Sequence, residues 1–296
     1  MTASSPEAYG VGIVVHPTRD VSVPLGQLEG WAQRAGAQLV QVPIDGITRE
    51  VAPEGDPAQC RLIVSIGGDG TMLAAMRTGV RAQRPVLGIA CGSLGVLTQT
   101  PSDQVVDAMQ RFHAGDWYAH ELGALEIMRP GQPPLLALND LAVVRAGAGQ
   151  IRVATRIDGV LFGRIAGDGL IVSTGLGSSA YALAAGGPLL GIDTDTFLVT
   201  PLPTHGGDVP PVVVGASSRV ELSVGQGYGG ARLEVDGQLV DVAPERLEIA
   251  LRAGVARIVA FPDQAPVLTV LRGRGIIVDS PRILAEDERL GRYPKP

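Results

Sequence analysis

Short apolar runs alternate with longer amphipathic segments along the first third of the chain. The runs cover residues 12–15, 62–66 and 85–89, and segments with helical spacing of apolar positions cover residues 25–35 and 71–80. Strands that alternate with helices form parallel sheets, because a parallel connection needs a crossover of helix length. We therefore predict an α/β unit, closed by a further helix over residues 104–114.

The pattern changes near Tyr118 to many short apolar runs separated by turn residues. These runs cover residues 137–144, 151–157, 160–162, 169–173, 212–214, 220–224 and 231–235. Asp158-Gly159 and Asp236-Gly237 stand between neighbouring runs, as two-residue hairpin turns do. The pattern predicts an all-β domain over residues 116–269, with one helix over residues 178–185. Residues 1–115, with residues 270–296 returning to them, form the predicted α/β domain.

Charge and residue usage narrow the possible partners to small molecules. The formal net charge of −6 and the pI near 5.3 argue against nucleic acid, whose binders carry basic surfaces. The 24 basic residues include a single lysine, Lys295, so a Walker-type phosphate loop and a Schiff-base lysine are both excluded. Cys60 and Cys91 are too few for a disulfide framework and lack zinc-site spacing.

Localisation is predicted from the absence of membrane and export signals. The start, Met-Thr-Ala-Ser-Ser-Pro-Glu, lacks the features of a signal peptide, and no run approaches the ~20 apolar residues of a membrane span. We expect a cytoplasmic protein without a membrane partner.

The candidate chemistry begins at Gly67-Gly68-Asp69-Gly70-Thr71, between a predicted strand and a predicted helix. The first N–H groups of a helix have no intrahelical partner, and glycines let the backbone approach a polyphosphate, so Gly67, Gly68, Gly70 and Thr71 are candidate phosphate-binding residues. An aspartate in such a loop repels phosphate unless it holds a metal ion or accepts a proton. Asp69 is therefore the candidate catalytic residue. The alternative is that it only caps the helix.

These residues and several later motifs resemble the NAD kinase family. The glycine motif after an apolar strand is shared with diacylglycerol- and sphingosine-type kinases, but the later motifs follow the order seen in NAD kinases. They are Gly88-Ile89 with Gly92, Leu94-Gly95 and Leu97-Thr98; Asn139-Asp140; Asp168-Gly169 to Thr174; Gly177-Ser178-Ser179-Ala180-Tyr181; Ala185-Gly186-Gly187-Pro188; and Asp236-Gly237-Gln238.

The resemblance implies a fold and an activity. The fold is an α/β nucleotide-kinase domain with a parallel sheet, followed by a β-sandwich-like domain, with NAD bound between the two. The activity is transfer of the γ-phosphoryl group of ATP to the 2′-hydroxyl of the adenosine ribose of NAD, with Mg²⁺ or another divalent cation. A homo-oligomer, either a dimer or a tetramer, is also implied.

Individual site residues follow from the same resemblance. Asp69 is implied as the base and Gly70 as a contact to the dinucleotide. Asn139 and Asp140 are implied to hold the adenosine moiety, Asp168 the nicotinamide end, and Ser179, Ala180 and Tyr181 the adenine and ribose. Gln238 matches a family glutamine near the ligand. His16 is placed by a separate argument: it follows the first strand, and ligands of open sheets bind at the carboxyl ends of strands, so we expect it at the border of the ATP site.

Several residues depart from the family pattern. Ala90, Ala166, Gly175, Leu176 and Ala184 stand where polar residues or a Pro-Thr pair are usual, and an arginine is often found at the position of Ala166. Two alternatives therefore stay open. One is a kinase of the same fold acting on another hydroxyl acceptor, such as a nucleoside or a small metabolite. The other is a dinucleotide-binding regulator without turnover, against which the intact glycine motif argues.

Overall fold

The computed structural model describes residues 9–44 and 49–291, which divide into two compact units. The first unit extends to His120 and resumes at Arg257, and the second comprises Glu121–Ala256. The sequence predicts the corresponding changes at residues 115 and 270.

The first unit is a parallel sheet with helices. Its strands are β1 (Gly10–Val15), β2 (Gln38–Gln41), β3 (Cys60–Gly67), β4 (Val86–Ala90) and the short β5 (Thr100–Pro101). Its helices in this part of the chain are α1 (Ser22–Ala35), α2 (Asp69–Ala82) and α3 (Val105–Ala114). The strand order is β4-β3-β1-β2, all parallel, and β5 pairs with the other edge of β4.

The apolar runs of the sequence form the centre of this sheet. Leu62 and Val64 on β3, Ile13 on β1 and Leu87 on β4 are buried in one cluster with Met109 of α3. Central parallel strands are covered on both faces, which explains why these runs are continuous rather than alternating. The strand β2 is partly exposed and polar at both ends, so its pattern did not predict a strand.

The second unit is built mainly from antiparallel strands. They are β6 (Tyr118–Arg129), β7 (Gln132–Ala137), β8 (Asp140–Arg145), β9 (Ile151–Ile157), β10 (Val160–Gly167), β11 (Gly169–Thr174), β12 (Thr196–Pro201), β13 (Val212–Gly215), β14 (Arg219–Gly225), β15 (Ala231–Val235), β16 (Gln238–Val242) and β17 (Arg246–Ala260). Within this unit β10-β9-β14-β17 form one sheet and β13-β12-β11-β8-β15-β16 form another.

Side chains of both sheets share one core, as in a β-sandwich. Val143 and Val172 of the second sheet lie in the same buried cluster as Val153, Leu222 and Ile249 of the first. The predicted fold class, an α/β domain followed by an all-β, β-sandwich-like domain, is confirmed.

The two predicted hairpin turns are also present. Asp158 and Gly159 connect β9 to β10 with φ of 51° and 79°, and Asp236 and Gly237 connect β15 to β16 with φ of 50° and 73°. Positive φ at both central positions defines a type I′ turn, whose twist matches that of the flanking strands. Aspartate and glycine tolerate positive φ better than most residues. The aspartate-glycine pair was therefore a sufficient signal for both turns.

The predicted helix over residues 178–185 is shorter in the structure. A 3₁₀ turn (Gly177–Ser179) is followed by the single-turn helix α4 (Tyr181–Ala184). Between them Ala180 has φ −104° and ψ −120°, outside the helical region. The hydroxyl of Ser178 donates to the carbonyl of Gly175 and accepts from the N–H of Leu190, so the segment is tied to loop backbone instead of continuing as a helix.

The chain returns to the first unit through β17. This strand is antiparallel to β14 over its first residues, and near its end Ile258 pairs in parallel with Val86 of β4. Two helices follow, α5 (Val267–Gly273) and α6 (Pro281–Leu290). The second unit ends at Ala256, within β17, and no turn marks this position in the sequence.

Candidate active site

The glycine motif connects β3 to α2 at the carboxyl edge of the parallel sheet, where ligands of open α/β sheets bind. Gly67 is the last residue of β3, and a Cβ at this position would stand 2.5 Å from Oγ1 of the buried Thr71. Gly68 occupies the N-cap position of α2, and Gly70 has no atom within 4 Å of the place of a Cβ. The backbone at the start of α2 is therefore open to a ligand.

Asp69 is the first residue of α2, so the alternative that it caps the helix is wrong. Its carboxylate accepts instead from a loop after β4. The N–H of Val96 donates to Oδ2 at 3.1 Å, and the N–H of Leu97 donates to Oδ1 at 3.0 Å. The hydroxyl of Thr98 donates to Oδ1 at 3.4 Å. A Cβ on Gly95 would stand 2.0 Å from Oδ1, so only glycine there lets the loop reach the carboxylate.

A distant arginine completes the surroundings of Asp69. Nη1 of Arg274, directly after α5, lies 2.6 Å from Oδ2 of Asp69 in an ion pair. Sequence reasoning missed Arg274, because 205 positions separate the partners and no motif surrounds it.

Two further arginines lie at the same edge of the sheet. Arg19, in the loop after β1, donates from Nη1 to the carbonyl of Cys91 at 2.9 Å, and this nitrogen is 3.6 Å from the place of a Cβ on Gly68. Arg49 donates to the carbonyls of His16 and Arg19 at 3.2 and 2.5 Å. Burial, with the charges of Arg19 and Arg49, lowers the pKa of His16. These arginines supply positive charge where the sequence offers no lysine.

Asn139 and Asp140, in the second unit, are fixed through their backbone by the turn after β15. Oδ1 of Asp236 accepts from the N–H of Asn139 at 2.7 Å and from that of Asp140 at 3.3 Å. The carbonyl of Asn139 accepts from the N–H of Thr174 at 2.9 Å. A Cβ on Gly177 would stand 2.0 Å from that carbonyl oxygen, so the glycine of the predicted motif is required by close packing.

Asp140 is buried and lies near other acidic groups. Burial, followed by the nearby negative charges of Asp236 and Glu234, raises the pKa of its carboxyl to about 7. The side chain is therefore on the border between its neutral and ionised forms at neutral pH, and it can donate as well as accept a hydrogen bond.

Asp168 and Tyr181 line one cavity of about 330 Å³ in the second unit. Two arginines that sequence reasoning missed, Arg145 and Arg232, share this lining. Nε of Arg145 lies 2.6 Å from Oδ1 of Asp168, and both side chains are roughly 40% exposed. Ala166 stands where the family often has an arginine, but Arg145 reaches Asp168 from the neighbouring strand β8.

Three further predicted residues are not among those that line this cavity: Ser179, Ala180 and Gln238. The hydroxyl of Ser179 donates to the carbonyl of Leu176 at 3.1 Å, so it is used within its own turn. Ala180 separates that turn from α4, and Gln238 is the exposed first residue of β16. Tyr181 is 40% exposed, and burial of part of its ring, with the charge of Glu234, raises the pKa of its hydroxyl.

The described part of the chain contains neither a cluster of metal-ligating side chains nor a helix that could span a membrane. Across residues 9–44 and 49–291, no three side chains of His, Cys, Asp or Glu come together as a metal site. None of the helices in this part of the chain is long and apolar enough to cross a bilayer.

Comparison with known proteins agrees with the resemblance. Residues 21–117 match the family described as "ATP-NAD kinase N-terminal domain", and residues 138–260 match "ATP-NAD kinase C-terminal domain". The chain is 35% identical over 245 residues to an NAD kinase of Desulforamulus reducens, covering 77% of this chain and 83% of that protein. It is 32% identical over 237 residues to one of Chlorobium phaeobacteroides, covering 77% and 82%.

Two solved structures share the fold. An NAD kinase from Archaeoglobus fulgidus in complex with ATP has a TM-score of 0.71 and 25% identity, covering 91% of this chain and 100% of that one. A yeast NADH kinase complexed with NADH has a TM-score of 0.75 and 18% identity, covering 92% and 89%.

Proposed function

The chain belongs to the ATP-NAD kinase family, and from this membership we propose that it transfers the γ-phosphoryl group of ATP to the 2′-hydroxyl of the adenosine ribose of NAD. The products are NADP and ADP. The observation that carries the proposal within the structure is the carboxylate of Asp69, held by loop amides beside the open start of α2.

The reaction needs a proton acceptor and little other covalent participation by the protein. The bond between the γ-phosphorus and the bridging oxygen of ADP breaks, and a bond forms between this phosphorus and the 2′-oxygen. The proton of the 2′-hydroxyl passes to the carboxylate of Asp69. Phosphoryl transfer is otherwise catalysed by positioning and charge stabilisation, which a rigid carboxylate and oriented amides provide.

We assign the phosphates of ATP to the backbone around Gly67, Gly68, Gly70 and Thr71. The free N–H groups and the positive end of the α2 dipole favour an anion there, and Arg19 supplies a nearby cation. A divalent cation such as Mg²⁺ fits this arrangement if phosphate oxygens and water supply most of its ligands, as they commonly do for Mg²⁺. Asp69 is the carboxylate of the motif that could add a protein ligand, and the cation would neutralise charge on the phosphates.

We assign the dinucleotide to residues of the second unit. Asn139 and Asp140 are the proposed contacts to the adenosine, Asp168 to the nicotinamide end, and Ser179, Ala180, Tyr181 and Gln238 to the remaining parts. The cavity beside Tyr181 and Asp168 supports this assignment, because it combines an aromatic ring with polar groups. A homo-oligomeric state and a cytoplasmic location stay predictions.

The test is a phosphoryl-transfer assay of the purified chain with Mg²⁺. ATP and polyphosphate serve as alternative donors, and NAD, NADH and a nucleoside serve as alternative acceptors. We expect NADP from ATP and NAD, detected by a dehydrogenase that accepts only NADP. Inert NAD with a phosphorylated nucleoside would replace the proposal by the alternative acceptor. Binding of NAD without phosphorylation of any acceptor would favour the regulator.

A further inference from the structure

The carboxylate of Asp69 has no free acceptor position in this structure. A carboxylate has about four positions that can accept a hydrogen bond, two on each oxygen. Oδ1 accepts from Leu97 and Thr98, and Oδ2 accepts from Val96 and Arg274. The side chain of Asp69 is 29% exposed, so an incoming substrate hydroxyl can reach it and competes with these four donors.

Arg274 is the donor that can leave at the smallest cost. The donors of Val96 and Leu97 are backbone amides of two buried residues, and Thr98 is fully buried. The side chain of Arg274, in contrast, is 39% exposed, so water can solvate its guanidinium after it separates from Asp69. Exposed ion pairs of this kind contribute little to stability.

Arg274 also lies close to the proposed phosphate site. Its guanidinium lies 2.6 Å from a residue flanked by Gly68 and Gly70, beside the amides assigned above to the phosphates of ATP. An arginine carries its charge at any relevant pH and presents several donors to phosphate oxygens. A guanidinium displaced from Asp69 would thus remain near an anion bound at the start of α2.

We propose that Arg274 is an exchangeable partner of Asp69: the acceptor hydroxyl displaces it, and its guanidinium then contacts the phosphoryl group being transferred. The inference rests on the proposed function, since it names a further residue for the same reaction. Arg274 thus occupies Asp69 before the acceptor binds and stabilises the phosphoryl group afterwards.

The exchange predicts two opposite effects in Arg274→Ala. Turnover should fall about 10- to 1000-fold, because a cation aimed at developing charge is lost. The affinity for NAD, measured by calorimetry without ATP, should rise about two- to fivefold, because the hydroxyl no longer displaces an ion pair. Arg272→Ala is the matched control, since Arg272 lies in the last turn of α5 and pairs with Asp279, away from Asp69. We expect it to leave both quantities within twofold.

The outcomes separate the possible roles. Unchanged turnover in Arg274→Ala overturns the proposal, and so does a lower turnover accompanied by weaker NAD binding, which would make Arg274 an ordinary binding contact. If Arg274→Ala lowers the melting temperature, Arg274→Lys keeps the charge and should retain more turnover than Arg274→Gln; equal losses in these two variants also overturn it. Failure of the wild-type chain to form NADP would instead remove the proposed function itself.

Discussion

Two aspartates of this chain occupy opposite surroundings. Asp69 in the first unit is enclosed by hydrogen-bond donors and paired with Arg274. Asp140 in the second unit is buried near the acidic side chains of Asp236 and Glu234, and the pKa of its carboxyl is raised to about 7. One carboxyl group thus accepts hydrogen bonds from several donors and pairs with a cation, whereas the other lies beside further carboxyl groups.

The difference indicates which task each aspartate can perform. A base must be available as an anion and must be oriented, and the amides of Val96 and Leu97 provide the orientation for Asp69. A group near the border of ionisation can exchange either kind of hydrogen bond with a ribose hydroxyl, which suits the binding role assigned to Asp140. The contrast therefore supports the two proposed assignments, Asp69 as the base and Asp140 as a contact to the ribose.

The largest effect is expected from Asp69→Asn, which removes the base and keeps the size of the side chain. Turnover should fall about 10²–10⁴-fold, the usual contribution of a general base, while the affinities for ATP and NAD stay within a few-fold. The amide nitrogen would also face donors that now meet an oxygen, so the free energy of unfolding should fall by about 1–3 kcal/mol. Steady-state kinetics, calorimetry and chemical denaturation measure these three quantities.

Asp107→Asn is the control for this variant. It makes the same chemical change on an exposed carboxylate in the first turn of α3. It should leave turnover and both affinities unchanged and lower the free energy of unfolding by less than about 1 kcal/mol. Near wild-type turnover in Asp69→Asn would remove the contrast on which the assignment of the base depends.

A smaller effect, visible in stability rather than rate, is expected from Asp140→Asn. The folded-state pKa of about 7 lies above the ordinary value of 3.8, so the folded chain holds this proton more tightly than the unfolded chain. The contribution to stability is therefore complete below pH ~4 and is lost as the pH rises through 7. Asparagine cannot ionise. The difference in the free energy of unfolding between variant and wild type should therefore shift in favour of the variant by about 1–3 kcal/mol from pH 5 to pH 8.

Denaturation at both pH values measures this gain. Asp208→Asn, on an exposed position of the same unit, should give parallel curves with wild type. A gain that is equal at pH 5 and pH 8 would show that burial and acidic neighbours do not govern the ionisation of Asp140.

The smallest effect is expected from Asn139→Ala. The backbone N–H and carbonyl of Asn139 make its hydrogen bonds to Asp236 and Thr174, and alanine keeps both groups, so the melting temperature should hardly change. The affinity for NAD should weaken up to about tenfold, the loss of roughly one hydrogen bond. Unchanged affinity in calorimetry would take the side chain of Asn139 out of the proposed site and leave only its backbone role.

The sequence predicted the fold class because its signals are local. The continuous apolar runs around Val64 and Leu87, and the two aspartate-glycine turns, depend on neighbouring positions and reappear as strands and hairpins. The compact units divide at residues 120–121 and again within β17, which continues through residue 256 without a turn.

The local surroundings of the candidate sites were not predictable in the same way. The glycine motif identified Asp69, but its donors come from loops 27 to 205 positions away in the chain. The pairing of Arg145 with Asp168 was not predictable either. It depends on the register of β8 against β11, which no local pattern specifies. Contacts between distant segments depend on strand register and loop path, and a single sequence does not encode these as local patterns.

The central claim is that the 2′-hydroxyl of NAD receives the phosphoryl group. The most direct measurement compares NAD with its 2′-deoxyadenosine analogue, using ATP labelled in the γ-phosphate and the wild-type chain. We predict that the analogue binds within about tenfold of NAD, since roughly one hydrogen bond is lost, but accepts no label, while NAD becomes labelled NADP. Label entering the analogue at a rate similar to that of NAD would contradict the account.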